Sequence, residues 1–365
     1  MADPVWERGG WAGCAPLRGD VAADVCVVGL GGSGLSAIHE LLDGGARVVG
    51  IDAAGIASGA AGRNGGFLLA GTYVFYHDAV AQYGRDRALA IYRSTLDELD
   101  RIERDTPAAV RRVGSLRLAT SPEEELDCAA QFDAMRADGL PVKWHDDEAG
   151  RGLLIPTDAA FDPLLRCRVL AERAVERGAV LHEHSAALAI DGGRVATSHG
   201  SVRCERVIVA VDGALPRVLP ELAPRVRAAR LQMLATAPAE DVRIPRPVYA
   251  RYGYEYWQQL PDGRIALGGF RDLGGDGEWT DSTEPTSQIQ AALERHLREV
   301  VGTRAPVTHR WAASVGYTAD GLPVCEEVRP GVWAVGGYSG TGNVVGAMCG
   351  RAAAHQSRSW FSRRA

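Results

Sequence analysis

The sequence predicts an α/β fold: a Rossmann-like domain, discontinuous along the chain, interleaved with an α+β domain built on an antiparallel sheet. Three observations carry that expectation. Residues 24–52 read as a βαβ unit with a dinucleotide fingerprint. Strand-into-turn signals of the same kind recur in the middle and at the end of the chain, and a hairpin and helices are inserted between them. The length of 365 residues exceeds one ordinary core and favours two domains.

In the first unit, Val25–Val28 is a short apolar run that enters Gly29-x-Gly31-x-x-Gly34. A helix-like segment follows, stops at Gly44-Gly45, and gives way to a second apolar run that ends on Asp52. Gly29 permits the tight turn from strand to helix, Gly31 lets the backbone approach a pyrophosphate, and Gly34 lets helix and strand pack closely. The N–H groups at the helix start, around Gly32 and Ser33, carry partial positive charge toward phosphates. Asp52, followed by Ala53, is placed to accept hydrogen bonds from an adenosine ribose. The unit implies an ADP-containing cofactor, and with it an enzyme.

Further along, helical patterns fill 78–105 and 122–138, around a short strand at 114–119. Asp162-Pro163 starts another helix, with Asp as cap and Pro suited to the first turn. Residues 179–189, 194–197 and 206–211 read as strands, the last ending at Asp212-Gly213. The proline-rich stretch 216–247 reads as a connection plus edge structure. Residues 249–259 and 264–270 form a hairpin across Pro261-Asp262-Gly263. A final strand at 332–335 runs into Gly336-Gly337-Tyr338-Ser339-Gly340-Thr341-Gly342-Asn343, and a terminal helix follows to about residue 354. The expected division is an N-terminal arm at 1–20, a cofactor domain from 21–75, 155–215 and 310–358, and a substrate domain from 76–154 and 216–309.

Composition narrows the function. A net charge of −6 with no basic run gives no support to nucleic-acid binding. The longest apolar runs are far too short to span a bilayer, and the first residues show no basic region followed by an apolar stretch. Seven scattered cysteines form no C-x-x-C pair, which points to a reducing, cytoplasmic setting and against a disulfide framework or structural zinc. No metal is expected. His182-x-His184 has no third ligand in view, and 145–148 reads as a solvated turn.

Seven segments, in order, resemble the D-amino acid oxidase superfamily of FAD-dependent amine oxidases. They are ADVCVVG with its fingerprint, Gly59–Gly66 (GAAGRNGG), Phe161-Asp-Pro163, Val207–Leu215, LPDGRIALGGFRD at 260–272, Trp311 with Thr318-Ala-Asp-Gly-Leu-Pro323, and GGYSGTG at 336–342. The GRNGG segment is most similar to the γ-glutamylputrescine oxidase-like branch, near the glycine and sarcosine oxidases. The resemblance implies an FAD-binding domain of this family's type. Gly62, Arg63, Asn64, Gly65 and Gly66 should run under the flavin, with Arg63 and Asn64 near its ring, and Ala61 is a further cofactor-binding residue. Gly337, Ser339, Gly340, Thr341, Gly342 and Asn343 should wrap its ring, ahead of a helix whose N-terminus stabilises negative charge on the reduced flavin.

Three departures from the family carry information. Where amino-acid oxidase members place an Arg that clamps the substrate carboxylate, this chain has Val315. No Cys lies in 311–317 and no His in 57–66, the places where relatives tether the flavin, so FAD should be non-covalent. Sarcosine oxidase-like members use a lysine to activate oxygen from the strand matching 265–268, which here reads Ile-Ala-Leu-Gly.

On the substrate side, a strand at 249–259 alternates. Tyr249, Arg251, Gly253, Glu255 and Trp257 share one face, and Tyr252, Tyr254 and Tyr256 the other. Such aromatics hold an amine by cation–π contact, with Arg251 or Glu255 on a distal charge, or they are sheet formers packed in a core. The expected reaction is oxidation of the C–N bond of an amine or modified amino acid, by hydride transfer to flavin N5, giving an imine. Oxygen or another acceptor reoxidises the flavin. The alternatives are a flavin dehydrogenase of an amino or hydroxy acid that feeds a carrier, and a non-catalytic nucleotide-binding module. The sequence leaves the substrate and the oligomeric state open.

Overall fold

Val25–Val28 is buried along its whole length, as a central parallel strand with both faces covered must be. In the computed structural model, which describes residues 3–148, 150–191 and 193–358, it pairs in parallel with Val48–Ile51 on one side and Arg206–Val209 on the other. The sheet extends to Val180–His182 beyond the first, and to Val332–Gly336 beyond the second. The antiparallel edge strand Val324–Arg329 completes six strands. Helices Gly32–Asp43 and Val345–Arg358 pack on each other, and a Cβ on Gly350 would overlap the Ser33 backbone. Beside this sheet, Gly19–Ala22, Gly200–Arg203, Arg194–Thr197 and Ala189–Asp191 form a four-stranded sheet.

By contact the chain divides into two compact units. One comprises Arg8–Arg63, Pro163–Ala229 and the residues from Ser314 on, and holds the six-stranded sheet. The other comprises the residues up to Glu7, Asn64–Asp162 and Arg230–Ala313.

The second unit is built on an eight-stranded sheet. Its order is Val307–Tyr317, Arg227–Thr236, Ile265–Gly269, Glu255–Gln259, Val248–Ala250, Ser115–Leu118, Gly150–Ile155, Lys143–Asp147. The sheet is antiparallel over most of its width and parallel where Val248–Ala250 meets Ser115–Leu118. One face packs under helix Ser287–Glu299, through Leu234, Trp257, Leu267, Ile289 and Leu293. At the far end of the sheet, Leu153 and Ile155 join a second core formed with helices Tyr76–Tyr83, Arg85–Asp105 and Pro122–Ala137. Residues 64–75 and 155–162 lie in this unit because Phe67–Leu68, Ala159–Phe161 and Val110–Arg111 pair into a small antiparallel sheet.

The expected α/β class, with a nucleotide-type parallel sheet and a largely antiparallel second sheet, is found; several elements differ in detail. The strand expected at 249–259 is broken. Arg251, Tyr252 and Gly253 take φ of 50°, 53° and 84°, so the chain turns between Val248–Ala250 and Glu255–Gln259. The alternation of faces therefore holds only within each short strand. The stretch 216–247 contains not an edge but an interior strand, since 227–236 carries no proline although prolines flank it. Residues 145–147 are an edge strand rather than a turn. The strand at 179–189 stops at His182, because His184 has φ of 50°. The helical pattern 78–105 is two helices parted at Gly84, φ 82°.

A buried ion pair lies in the second unit. Arg230 donates to both carboxylate oxygens of Glu278, at 2.9 and 2.7 Å, and Gln232 donates to the same carboxylate at 3.0 Å. Glu278 is 2% exposed. Removing one partner of a buried pair strands the other charge. Glu278→Ala is expected to cost about 3–5 kcal/mol, read as a lower denaturation midpoint of the purified protein; a midpoint unchanged from wild type would show the pair to be neutral.

Candidate functional site

The turn after Val25–Val28 needs its glycines for steric reasons visible in the structure. Gly29 has φ of 98°, and a Cβ there would run into the Ala210 carbonyl. A Cβ on Gly34 would overlap the Gly29 carbonyl oxygen, and one on Gly31 would come within 3.1 Å of the Ala61 Cβ. Gly32 faces the guanidinium of buried Arg166, 2.8 Å from where its Cβ would lie. The helix Gly32–Asp43 starts at an extended Gly31 with no side-chain cap, so its first-turn N–H groups keep no side-chain acceptor. Ser33 accepts a hydrogen bond from the Tyr338 hydroxyl at 2.7 Å, tying the first helix to the last loop.

Asp52 closes the cradle. Its carboxylate accepts the Leu30 N–H at 2.7 Å and the Ala54 N–H at 2.9 Å, across Ala53. Burial pushes its carboxyl up, which the two N–H groups oppose. Each oxygen keeps a lone pair for a further donor. Close-packed glycines, an uncapped helix start and an anchored carboxylate together fit a dinucleotide.

The loop expected around the flavin is held by a residue the sequence reading passed over. Asp212, φ 47°, accepts N–H groups from Gly316 at 3.0 Å, Gly337 at 2.9 Å and Tyr338 at 3.3 Å. Burial raises its carboxyl, opposed by these bonds. Its place past the end of a parallel strand was the available signal, because ligands bind at that end of such sheets. Beyond it, Gly337, Ser339 and Gly340 have φ of 68°, 51° and 94°. Ser339 donates its N–H to the Gly316 carbonyl, Thr341 bonds the Tyr338 carbonyl, and Gly342 packs on the Tyr338 ring. Gly342 also accepts the Gly346 N–H at the start of the last helix, with Asn343 between them. Strained backbone of this kind collects at functional loops.

In the same unit, Ala61 and Gly62 form a single turn, Gly62 lies against the Ala57 carbonyl, and Arg63 is 5% exposed. Asn64 opens the other unit. Its carbonyl accepts the Trp6 indole N–H and its side chain accepts the Gly66 N–H, both at 2.9 Å. Gln258, also missed from sequence, donates to the carbonyls of Gly65 and Gly66 at 2.6 and 2.8 Å. The Tyr256 ring lies 3.1 Å from where a Gly65 Cβ would stand, and a Cβ on Gly268 would collide with that ring. A glycine is required on the Gly268 side, and on the Gly65 side a Cβ would make a tight contact.

The other aromatic candidates are dispersed. Trp257 is buried in the core, 4.9 Å from His296. Tyr252 is 46% exposed, and its hydroxyl bonds Asp127 at 2.8 Å. Tyr254 is stacked by Arg251 and Arg271. Arg251 is committed to Glu255 at 2.7 Å and Asp272 at 2.8 and 3.0 Å.

Across the sheet, Arg117, Tyr249, Tyr256, Gly268 and Met233 are register partners in turn. Beside Arg117 lies a cavity of ≈ 40 Å³, lined among others by Tyr76, Tyr92, Ser115, Asp158 and Tyr249. Asp158 accepts the Ser115 hydroxyl at 2.6 Å and the Ala70 N–H at 3.0 Å, and burial pushes its carboxyl up to about 6. Among the described residues no group of three or more His, Cys, Asp or Glu is placed to hold a metal. None of the described helices is long and apolar enough to cross a membrane.

The family model for FAD dependent oxidoreductases (DAO) matches residues 24–356. The chain belongs to this family. FAD is its cofactor, and it is an oxidoreductase. Over 92% of its length the chain is 29% identical to the "Probable oxidoreductase OrdL" of Rhizobium meliloti, and 27% identical to the "Gamma-glutamylputrescine oxidoreductase" of Escherichia coli, covering 83% of each. Glycine oxidase from Geobacillus kaustophilus superposes with a TM-score of 0.74 at 20% identity, over 93% of this chain and 95% of that one. L-proline dehydrogenase from P. horikoshii does so with 0.72 at 19%, over 93% of each. At those identities the likeness is one of fold.

Two outcomes follow. Asp52→Ala is expected to weaken FAD binding about ten- to a hundredfold, as losing charged hydrogen bonds does, measured by titrating apoprotein with FAD; unchanged affinity would remove Asp52 from the site. Asp158 gives a pH signature. Its folded-state carboxyl near 6, against an ordinary 3.8, adds stability that is present below pH 3.8 and lost as pH rises through 6. Asp158→Asn is expected to flatten unfolding free energy across that window by up to about 3 kcal/mol, seen in denaturant melts at several pH values.

Proposed function

We propose that the protein oxidises the C–N bond of an amine or modified amino acid to an imine, with FAD held non-covalently. One observation carries the reading: the Tyr256 ring against Gly65, in the segment that family resemblance assigns to the flavin. The names of the Escherichia coli relative and of the glycine oxidase, both carrying amine-type substrates, support it. When bound, FAD supplies the hydride-accepting chemistry.

The chain's own residues bind and orient. Tyr256, edge-on to Phe67 at 6.0 Å and 80°, offers a fixed aromatic surface to an ammonium or amine. Gln258 fixes the backbone beneath that ring through two carbonyls, so the surface is set before substrate arrives. The Asp212 network holds the Gly337–Asn343 loop ahead of helix Val345–Arg358, whose start favours negative charge. Val315 supplies no bidentate clamp, which disfavours an α-amino acid held there by its carboxylate.

A second reading is favoured by Ile265–Gly269, which carries no lysine; the chain's one lysine, Lys143, is exposed on the far edge strand of the sheet. That favours a dehydrogenase passing electrons to a carrier. Absorption spectra without oxygen test both. Flavin bands that bleach with amines and not with hydroxy acids are expected, and slow recolouring on readmitting air would select the dehydrogenase. Bands that no amine bleaches, while a hydroxy acid does, would overturn the amine reading.

A further inference from the structure

In the run Ser115–Leu118, Leu116 and Leu118 join the core under helix Ser287–Glu299, which turns Arg117 to the opposite face. There its guanidinium lies over the rings of Phe75 at 4.3 Å and Tyr249 at 5.4 Å. Among the described residues it makes ring contacts but no hydrogen bond and no ion pair. Arg230, Arg251 and Arg112, by contrast, all hold carboxylates. Ring stacking leaves the N–H edges of a guanidinium free, and these edges form a fork matched to a carboxylate.

Those donors meet the ≈ 40 Å³ cavity. By the space one water needs, that holds on the order of three water-sized groups, the size of a carboxylate. Tyr92, 5% exposed, lines the same cavity, and its hydroxyl has no hydrogen-bond partner among the described residues. Asp158 bonds Ser115 and Ala70 and makes no hydrogen bond or ion pair with Arg117 among the described residues, though it feels the Arg117 charge at longer range. Asp158 at the wall adds a like charge, which opposes a dianion such as phosphate more strongly than a carboxylate.

We infer that this cavity binds a carboxylate of the substrate, received by Arg117 and Tyr92, so that the substrate is an amine carrying a carboxylate several bonds from its reacting nitrogen. This rests on the amine oxidation proposed above. The separation comes from the register: Arg117 pairs with Tyr249 and Tyr249 with Tyr256. Two strand spacings put the Arg117 and Tyr256 backbones about 10 Å apart, with Tyr249 between them, which favours a substrate longer than one α-amino acid. The anchor missing at Val315 is thereby relocated, and it selects a longer molecule.

The test uses the holoenzyme and two readouts. The first is calorimetric binding of straight-chain monocarboxylates that carry no amine. Wild type is expected to bind them, Arg117→Gln to weaken binding at least tenfold, and Tyr92→Phe, which keeps the ring, by a smaller factor. The second is kcat/KM for amines of matched length with a terminal carboxylate or a terminal methyl. The carboxylate is expected to be preferred at least tenfold, and Arg117→Gln to bring that ratio toward one. Absent carboxylate binding, binding equal in wild type and both variants, or a ratio indifferent to Arg117→Gln would overturn the inference. Carboxylate binding that depends on Arg117, in an enzyme that oxidises no amine, would keep the site and overturn the amine reading alone.

Discussion

Asp212 gathers backbone N–H groups from Gly316, Gly337 and Tyr338 into one buried carboxylate, and the cofactor unit is arranged around that convergence. A lone buried carboxylate is unfavourable; one that accepts several N–H groups is an organising centre. It joins the end of Arg206–Val209 to Gly316 and to the loop leaving Val332–Gly336, all within this unit. These points are far apart in sequence and adjacent only in the sheet. The left-handed conformation at Asp212 is kept in place by these bonds and that at Ser339 by its N–H to the Gly316 carbonyl, which is how strain persists in a loop.

The other unit uses absence of side chains. Tyr256 occupies a slot that exists because position 268 carries no Cβ, with Gly65 packed closely on its other side. Gln258 then fixes the Gly65 and Gly66 carbonyls, so a flexible pair of residues is held as rigidly as a strand. Charges elsewhere in the unit are mostly satisfied, as Arg230 and Arg251 are by their carboxylates. Among the described residues Arg87 and Arg136 also rest on rings alone, but on the exposed surface, whereas Arg117 lines a cavity.

The cofactor half was readable because its signals are local. Gly29, Gly31, Gly34 and Asp52 lie within one βαβ unit, where spacing alone sets geometry. Asp212 was half readable: the strand before it was evident, but the N–H groups it collects come from over a hundred residues later. The second unit was harder. A period of two at 249–259 suggested one strand, and the turn at Arg251–Gly253 cannot be seen from alternation because it uses non-glycine residues in left-handed conformations. Arg117 gave a faint signal, a charge inside an apolar alternation. Its importance depends on which rings other strands and loops place beside it.

The interleaving of the cofactor unit also sets an order in time. Val25–Val28 has neighbours at Val48–Ile51, made almost at once, and at Arg206–Val209, made some two hundred residues later. The partner of Ser33 is Tyr338, and the glycines that let the last helix approach it are Gly346 and Gly350. A chain emerging from the ribosome therefore displays its fingerprint turn long before the loop and helix that complete it. Contacts of such separation close slowly, and exposed strands wait for them. A chain lacking the last helix leaves the first without its packing partner.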